Sequence, residues 1–244
     1  MKKIKIVHLY SDSLDLYGDV FNIKVIERKA KRNGYECEIV NINQDDEINL
    51  SDADMVYIGH GKDRNLNSVA QHFLKYKEEI LNAVEKGKVF LSIGNSRLLF
   101  GKSFKDENGK NYEGIGLFSY NGVENEKVFV SDVVSQAEFD ENIITYGFIN
   151  RTAYIENNNE YPLFKILRGA GEHDKVSKKD NGVEQYEGNH YKNFFGTWQI
   201  GPILARNPQL AECIAEKVIP EYSREEGESL SKEALKRTLK EFDL

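Results

Sequence analysis

Hydrophobic and polar positions alternate regularly over the first ninety residues of the chain. Four short apolar or β-branched runs have the composition and period of strands: 2–10, 35–42, 54–60 and 88–93. Between them, residues 21–33 and 66–85 carry apolar side chains at helical spacing, and Gly34 follows the first helix as a C-terminal stop. This β-α-β-α-β order predicts an open, mostly parallel sheet with helices on both faces, a doubly wound α/β fold of the flavodoxin-like kind.

The pattern changes after residue 114. Short strand-like runs separated by Asn- and Gly-rich turns lie at 128–134, 143–149, 163–167 and 194–198. The charged stretch 169–188 is predicted to be a mobile surface loop. Helices are predicted at 203–219, before Pro220, and at 229–242. One domain over residues 1–220 with a C-terminal helical extension over 221–244 is the simplest organisation.

Composition and charge narrow the function classes. The chain has 244 residues, 40% of them hydrophobic and 30% charged, which is typical of a globular protein. A net charge of −7 provides no basic surplus for nucleic acid. Two cysteines, Cys37 and Cys213, are too few for a disulfide scaffold. No apolar run approaches the roughly 20 residues of a membrane span, and the N-terminus lacks a signal-peptide pattern, so we expect a soluble cytoplasmic protein.

A strand, a sharp turn and a helix follow one another at residues 90–100, the layout of a nucleophile elbow. In such an elbow the turn presents a nucleophile at a helix N-terminus, where backbone N–H groups stabilise an oxyanion. Ser96 is the candidate nucleophile by position. The alternative, which serine's capping preference favours, is that its hydroxyl only caps a helix over residues 97–100.

None of the five histidines has the spacing of a zinc site, and we expect neither a metal nor a cofactor. His8 is interpreted as a hydrogen-bonded core residue, and His72 as a surface residue of the helix over 66–85. His60, between Gly59 and Gly61 at a strand end, is the best functional candidate, although a structural role is favoured without an identified partner. The Gly59–Arg64 loop lacks the G-K-[ST] ending of a P-loop and is a weak anion-binding signal.

Several segments in order along the chain resemble the GatD-type glutamine amidotransferase subunits of lipid II isoglutaminyl synthase, which are class I, cobyric-acid-synthase-like amidotransferases. The matching pieces are 8–12, 14–19 with Asn22 and Ile23, 59–64, 114–117, 147–148 with Asn150, and 190–204. The resemblance implies a flavodoxin-like class I glutamine amidotransferase fold.

The resemblance also implies site residues, and this sequence departs from them. The family's nucleophilic cysteine position holds Gly94, and its general-base histidine position holds Ile200. The segment that helps to bind glutamine reads Asn150 to Tyr154, with Tyr154 in place of an arginine in a gapless match; a shifted match would spare Arg151. Covalent amide hydrolysis needs a thiolate and a proton-transferring base, and neither glycine nor isoleucine can supply one.

The hypothesis from the sequence is therefore a catalytically degenerate amidotransferase fold that serves as the non-hydrolytic partner of a MurT-like Mur ligase subunit acting on peptidoglycan precursors. One alternative is an active amidotransferase that uses His60 with Cys37 or Ser96. Another is a small-molecule sensor that binds an anion through His60, Lys62 and Arg97. We expect the altered crevice to be lined by Gly59, His60, Gly61, Lys62, Asn95, Ser96, Arg97, Arg151, Tyr154 and Trp198, with Tyr154 or Trp198 leaning into it.

Overall fold

The computed structural model of the chain describes residues 2–156, 160–172, 185–224 and 229–243. The first half contains β1 (Lys2–Leu9), α1 (Phe21–Arg32), β2 (Tyr35–Ile42), β3 (Met55–Ile58), α2 (Asp63–Lys75), α3 (Lys77–Glu85), β4 (Val89–Ile93) and a 3₁₀ helix (Gly94–Phe100). The second half contains β5 (Ser103–Lys105), β6 (Asn111–Glu113), β7 (Asn121–Ala137), β8 (Asp140–Glu156), β9 (Phe164–Arg168), β10 (Tyr186–Glu187), β11 (Asn189–Tyr191), β12 (Phe194–Thr197), β13 (Gln199–Ile200), α4 (Ile203–Arg206), α5 (Pro208–Val218) and α6 (Leu230–Glu241).

The first sheet has the strand order β11-β12-β4-β3-β1-β2, and its neighbours run parallel except for β11 and β12. Because side chains alternate along a strand, each strand contributes to a core on both faces. Val7 and Leu9 of β1 pack in the core that includes residues of α2 and α3. Ile4 and Ile6 pack in the core that includes residues of α1 and α5. The predicted α/β fold, a mostly parallel sheet with helices on both faces, is confirmed.

A second, mostly antiparallel sheet is built around one long hairpin of β7 and β8. The two short strands predicted at 128–134 and 143–149 are only the middle of this hairpin, because polar residues at its exposed positions interrupt the apolar pattern. The register shifts between Glu124 and Phe129, so that residues 125–128 face Thr152 alone across the ladder. A bulge of this kind bends a strand and redirects its side chains, and bulges are frequent beside functional sites.

The helix predicted over 66–85 is wrong as a single element. It begins three residues earlier and divides at Tyr76 into α2 and α3. At the division the Tyr76 N–H donates to the Phe73 carbonyl, three residues back, and the Tyr76 ring packs on His72 at 5.1 Å between centroids. The tighter turn and this ring contact end the first helix.

The helix predicted over 203–219 is likewise two elements, α4 and α5. Pro208 occupies the first turn of α5, where its missing N–H costs nothing. Asn207 holds the junction, because its side chain donates to the carbonyls of Ile203 and Tyr146 and accepts the Tyr146 N–H. These contacts connect the break to β8.

The C-terminal helix α6 packs on the rest of the protein through few side chains. Leu235 is buried and Phe242 contacts Tyr146 at 5.7 Å, whereas most of the helix is exposed. Within the described ranges, no helix is long and apolar enough to cross a bilayer.

Two predictions about polar positions also change. Of the predicted loop over 169–188, residues 173–184, including His173, lie outside the described residues, and at its described ends Glu172 and Glu187 are buried rather than on the surface. His72 is buried too: the Tyr10 hydroxyl contacts its Nδ1 at 2.9 Å and the Asp46 carbonyl its Nε2 at 2.9 Å. His8 is in the core as expected, but its Nε2 has no hydrogen-bond partner among the described residues.

Candidate functional site

The predicted strand–turn–helix is present at the carboxyl end of β4. Gly94 follows the strand with a φ of +64°, in the left-handed region, and opens the 3₁₀ helix. The neighbouring strand β3 ends beside it and leads into Gly59, His60 and Gly61. In open α/β sheets the functional crevice lies beyond these carboxyl ends.

The imidazole of His60 occupies the space in which a nucleophile on this turn would stand. A Cβ atom built at Gly94 would overlap Nδ1 of His60 and lie 2.7 Å and 2.8 Å from its Cγ and Cβ. The N–H of Asn95 donates to the same Nδ1 at 3.1 Å. In a nucleophile elbow, the N–H of the residue after the nucleophile stabilises the oxyanion. The His60 side chain therefore fills the space that a nucleophile at position 94 would need and also accepts the hydrogen bond of the neighbouring Asn95 N–H.

Two backbone N–H groups in the loop after β3 also have hydrogen-bond partners within the protein. The His60 N–H donates to Asp19 Oδ2 at 3.0 Å, and the Gly61 N–H donates to Asn95 Oδ1 at 3.0 Å. The Asn95 side chain completes the connection by donating to the Gly61 carbonyl at 2.8 Å. Asn95 thus fastens the β3 loop to the β4 turn.

His60 is neutral and covered. Burial lowers its pKa to about 4, against a smaller opposing effect of Asp63. Because Nδ1 accepts a hydrogen bond, we assign the ring proton to Nε2. The Tyr17 ring stacks on the imidazole at 5.6 Å between centroids, and its hydroxyl accepts a hydrogen bond from Asn150 Nδ2 at 3.1 Å.

Two carboxylates that the sequence analysis did not single out organise the crevice. Asp63, at the start of α2, accepts from Asn95 Nδ2 at 2.9 Å and from the Thr152 hydroxyl at 2.7 Å, and so connects the 3₁₀ helix to β8. Asp19 is fully buried, and burial raises its pKa to about 7, with the N–H groups of His60 and Gly201 opposing the shift. The one signal for Asp19 in the sequence was its place within the family-like segment 14–19.

The position of the family's base histidine is apolar. Ile200 lies in β13, opposite Phe148 of β8, and is buried in a core cluster. An isoleucine side chain has no group that could accept or transfer a proton.

The structure does not support the roles considered for Ser96 and Cys37. The Ser96 hydroxyl is buried, contacts the Ser92 hydroxyl at 2.8 Å and donates to the Ile93 carbonyl at 2.9 Å. The capping prediction is wrong, because Ser96 lies inside the 3₁₀ helix and no side chain caps that helix. Cys37 is opposite Ile4, near the start of β1, so it lies roughly 20 Å from His60 along the strand direction.

The anion site expected from His60, Lys62 and Arg97 does not form. Arg97 is fully buried, with Nη1 at 2.5 Å from Glu172 Oε1 and 3.7 Å from Glu187 Oε1. Its Nη2 donates to Asn189 Oδ1 at 2.5 Å. Lys62 is exposed ahead of α2, and the neutral His60 carries no positive charge. The guanidinium that was expected to face a ligand is instead neutralised by carboxylates.

Trp198 and Arg151 belong to the same buried cluster and do not line an open pocket. The guanidinium groups of Arg97 and Arg151 lie over the Trp198 ring at 5.5 Å and 5.6 Å from its centroid. Arg151 donates to the Ala153 carbonyl at 2.6 Å and to the Gly171 carbonyl at 3.3 Å. Tyr154 is buried, and its hydroxyl donates to Glu156 at 3.3 Å. The expectation that Trp198 or Tyr154 leans into a crevice is therefore not supported.

No group of three His, Cys, Asp or Glu side chains in the described ranges is placed to hold a metal ion. At the two turns, the backbone N–H groups of His60, Gly61 and Asn95 are all bonded within the protein. Residues 5–208 match the CobB/CobQ-like glutamine amidotransferase domain, and the chain belongs to that family.

Two relatives point to one kind of subunit within the family. The chain is 29% identical over 217 residues to the lipid II isoglutaminyl synthase (glutamine-hydrolyzing) subunit GatD of Staphylococcus aureus strain N315, covering 89% of this chain and 85% of the relative. It is 29% identical over 212 residues to the subunit of the same name from Streptococcus pneumoniae strain R6, covering 86% and 78%. A crystal structure of a glutamine amidotransferase shares the fold, with a TM-score of 0.53 and 13% identity over 87% of this chain and 98% of that one.

Proposed function

We propose that this chain is a GatD-like subunit without glutaminase activity, and that it acts as the non-hydrolytic partner of a MurT-like Mur ligase subunit in the amidation or modification of peptidoglycan precursors. The observation that carries the proposal is the position of the His60 imidazole. It fills the nucleophile's space at Gly94 and accepts the Asn95 N–H that would stabilise an oxyanion.

The chemistry of amide hydrolysis supports this reading. The reaction needs a nucleophile that attacks the side-chain amide of glutamine and a base that moves the proton. Gly94 and Ile200 offer neither group. In a hydrolytic triad, loss of the nucleophile or the base alone costs about 10⁶-fold in turnover. Both losses at once leave no route to a covalent intermediate at this turn.

The N–H groups near Gly94 are already hydrogen-bonded, which argues against an alternative nucleophile at this turn. A substrate oxyanion would have to displace His60 from Asn95, or Asn95 from Gly61, before it could be stabilised. Such preorganised donors supply a large share of catalysis in acyl transfer, typically 10²–10³-fold for one donor. Ser96, bonded into the 3₁₀ helix, is not positioned to attack from this turn.

The partner and the cell-wall role rest on the relatives. Both are named as subunits of lipid II isoglutaminyl synthase, and this chain matches most of their length. A scaffold that retains the fold of such a subunit while its reactive groups are replaced is consistent with a binding role.

The first test measures glutaminase activity of the purified chain. We expect no ammonia from glutamine above a heat-treated control, and no labelling by the glutamine-analogue electrophile diazo-oxo-norleucine. Glutamine-dependent ammonia that disappears on mutating Ser96 or Cys37 would refute the proposal.

The second test is co-expression with a MurT-type ligase subunit from the same organism. We expect a complex that survives gel filtration at micromolar concentration, as a specific interface of about 1,600 Å² allows. Separate elution, together with ammonium-dependent ligase activity that this chain leaves unchanged, would contradict the partnership.

A further inference from the structure

Large apolar side chains are exposed together at one edge of the crevice. Tyr17, Phe21, Val128 and Val130 are 52%, 58%, 60% and 55% exposed. We refer to these four residues as the apolar rim. Contiguous exposed apolar patches on a soluble protein usually mark an interaction site, whereas single exposed apolar residues are ordinary.

Contacts across the sheet and along the chain place Tyr17, Phe21 and Val130 on one surface. Val130 is directly opposite Asn150 in the β7–β8 ladder, and Asn150 donates to the Tyr17 hydroxyl. Tyr17 covers His60. Only three residues separate Tyr17 from Phe21, whose ring lies against Gly18.

Val128 adjoins the same surface on β7. Val128 and Val130 are both exposed, on either side of the half-buried Phe129. Val128 ends the bulge of residues 125–128 opposite Thr152, whose hydroxyl bonds Asp63 in the crevice. The apolar rim therefore borders the closed site itself.

The composition and charge of the chain indicate what covers this surface. The four side chains are aromatic or β-branched, and aromatic residues are enriched at the centre of a protein interface. The chain carries a net charge of −7. Like net charge opposes the meeting of two copies and favours a protein with a basic surplus.

We propose that the apolar rim is the docking surface for the ligase-type partner subunit, which presents an apolar centre surrounded by basic side chains. This inference rests on the proposed function and names the face that the partnership uses. Docking there covers Tyr17 and His60, so the closed crevice becomes part of the interface.

The experiment compares lysine substitutions at equally apolar, exposed positions in the full-length chain. Phe21→Lys and Val130→Lys each remove an apolar contact and add a charge of the partner's sign, whereas Leu230→Lys makes the same kind of change on α6, which carries none of the rim residues. Leu230 is 87% exposed. Affinity for the MurT-type subunit is measured by surface plasmon resonance at low and high salt, and thermal melts check that each variant is folded.

We expect each rim variant to weaken binding about tenfold or more, as truncation of a central contact does, and Leu230→Lys to stay within twofold of wild type. Association of the wild type should slow as salt is raised. A wild-type complex that tolerates both rim variants overturns the docking surface but leaves the partnership standing. Absence of any wild-type complex removes the proposed partnership and this inference with it. A homodimer that the rim variants dissociate would identify a second copy as the occupant and overturn the proposal.

Discussion

At the scale of single residues, His60 has the most consequences for the crevice. Its main chain donates to Asp19 and its ring accepts from Asn95, while Tyr17 covers the ring. The buried imidazole remains neutral, because protonation of Nδ1 would break its hydrogen bond with the Asn95 N–H and leave a buried charge. The residue that resembled a catalytic candidate is thus a structural part of a closed turn.

This arrangement predicts that simple reversion fails. In Gly94→Cys with Ile200→His, the new Cβ overlaps the His60 ring, and overpacking of this kind costs about 1–3 kcal/mol. We expect no glutamine turnover and a melting temperature lower by roughly 2–10 °C, measured by ammonia release and calorimetry.

A third change supplies the control for that experiment. Adding His60→Gly removes the overlapping ring, and we expect alkylation of the thiol at position 94, followed by peptide mass spectrometry, to become faster than in the double variant. Turnover near that of a normal amidotransferase in the double variant would show that His60 does not close the site.

The buried carboxyl of Asp19 predicts how stability depends on pH. Its folded pKa of about 7 lies above the unfolded value of about 3.9. Between these values the folded chain holds a proton that the unfolded chain has released, so this group's contribution to stability falls as pH rises from about 4 to 7 and then levels off. We expect Asp19→Asn, which stays uncharged, to lose on the order of a few kcal/mol less than wild type over that range. Urea unfolding from pH 4 to 8 measures the difference.

The matched control for Asp19 is Glu126→Gln, which removes a carboxylate from an exposed position on β7. It should leave the pH dependence of the unfolding free energy as in wild type. If Asp19→Asn also follows the wild-type curve, Asp19 is not the group that binds the proton.

At the scale of elements, polar residues that interrupt the apolar pattern affect where strands and helices end more than intrinsic propensity does. The register of the β7–β8 hairpin shifts at residues 125–128, opposite Thr152, whose hydroxyl donates to Asp63. Asn207 and Pro208 divide the helix that periodicity had joined. Side-chain hydrogen bonds hold these elements beside the crevice, whereas α6 has little apolar contact with the rest of the protein.

Removal of α6 is expected to leave a folded domain. In the chain ending at residue 224, the burial of Leu235 and the Tyr146–Phe242 contact are lost, so we expect a decrease of roughly 1–3 kcal/mol in the free energy of unfolding. Urea denaturation monitored by circular dichroism measures it, with Leu235→Ala in the full chain as the comparison. Loss of a cooperative transition would show that residues 1–220 do not form a domain without the extension.

At the scale of the whole molecule, Trp198, the single tryptophan, follows β12 of the first sheet and precedes β13 of the second. The guanidinium groups of Arg97 and Arg151 both lie over its ring. Arg97 pairs with Glu172, and Arg151 donates to the carbonyl groups of 171 and 172. These contacts connect Trp198, just after β12, to residues 171–172, which follow β9. The fluorescence of Trp198 therefore reports on the packing of the second sheet close to the crevice.

Glutamine is expected to change neither the thermal stability of the chain nor its tryptophan fluorescence. A ligand at 100 times its Kd stabilises the folded state by about 2.7 kcal/mol, which would raise Tm by roughly 5–10 °C for a chain of this size. With the donors of the turn already bonded, we expect no Tm shift and no change in Trp198 fluorescence at millimolar glutamine. An active amidotransferase with its nucleophile replaced by alanine is the positive control, and a saturable shift in this chain would reveal an open glutamine site.

The sequence by itself determined the parallel sheet and which residues stand at positions 94 and 200. Strand and helix periods are local, so β1 to β4 and α1 were predicted within a few residues, and the identities of Gly94 and Ile200 follow from reading the family's motif along the chain. A glycine supplies no thiolate wherever it is placed. These conclusions depend on neighbours in sequence and needed no coordinates.

Only the tertiary structure decided what surrounds Gly94. His60 and Asn95 are 35 residues apart, and their hydrogen bond depends on two neighbouring parallel strands ending at the same level. Asp19, Asp63 and Arg97 each have a partner that is still farther away in sequence. Burial, which moves the pKa of Asp19 and of His60, is a property of the folded chain. Which distant side chains meet, and how far a polar group is desolvated, depend on packing between elements that are far apart in sequence.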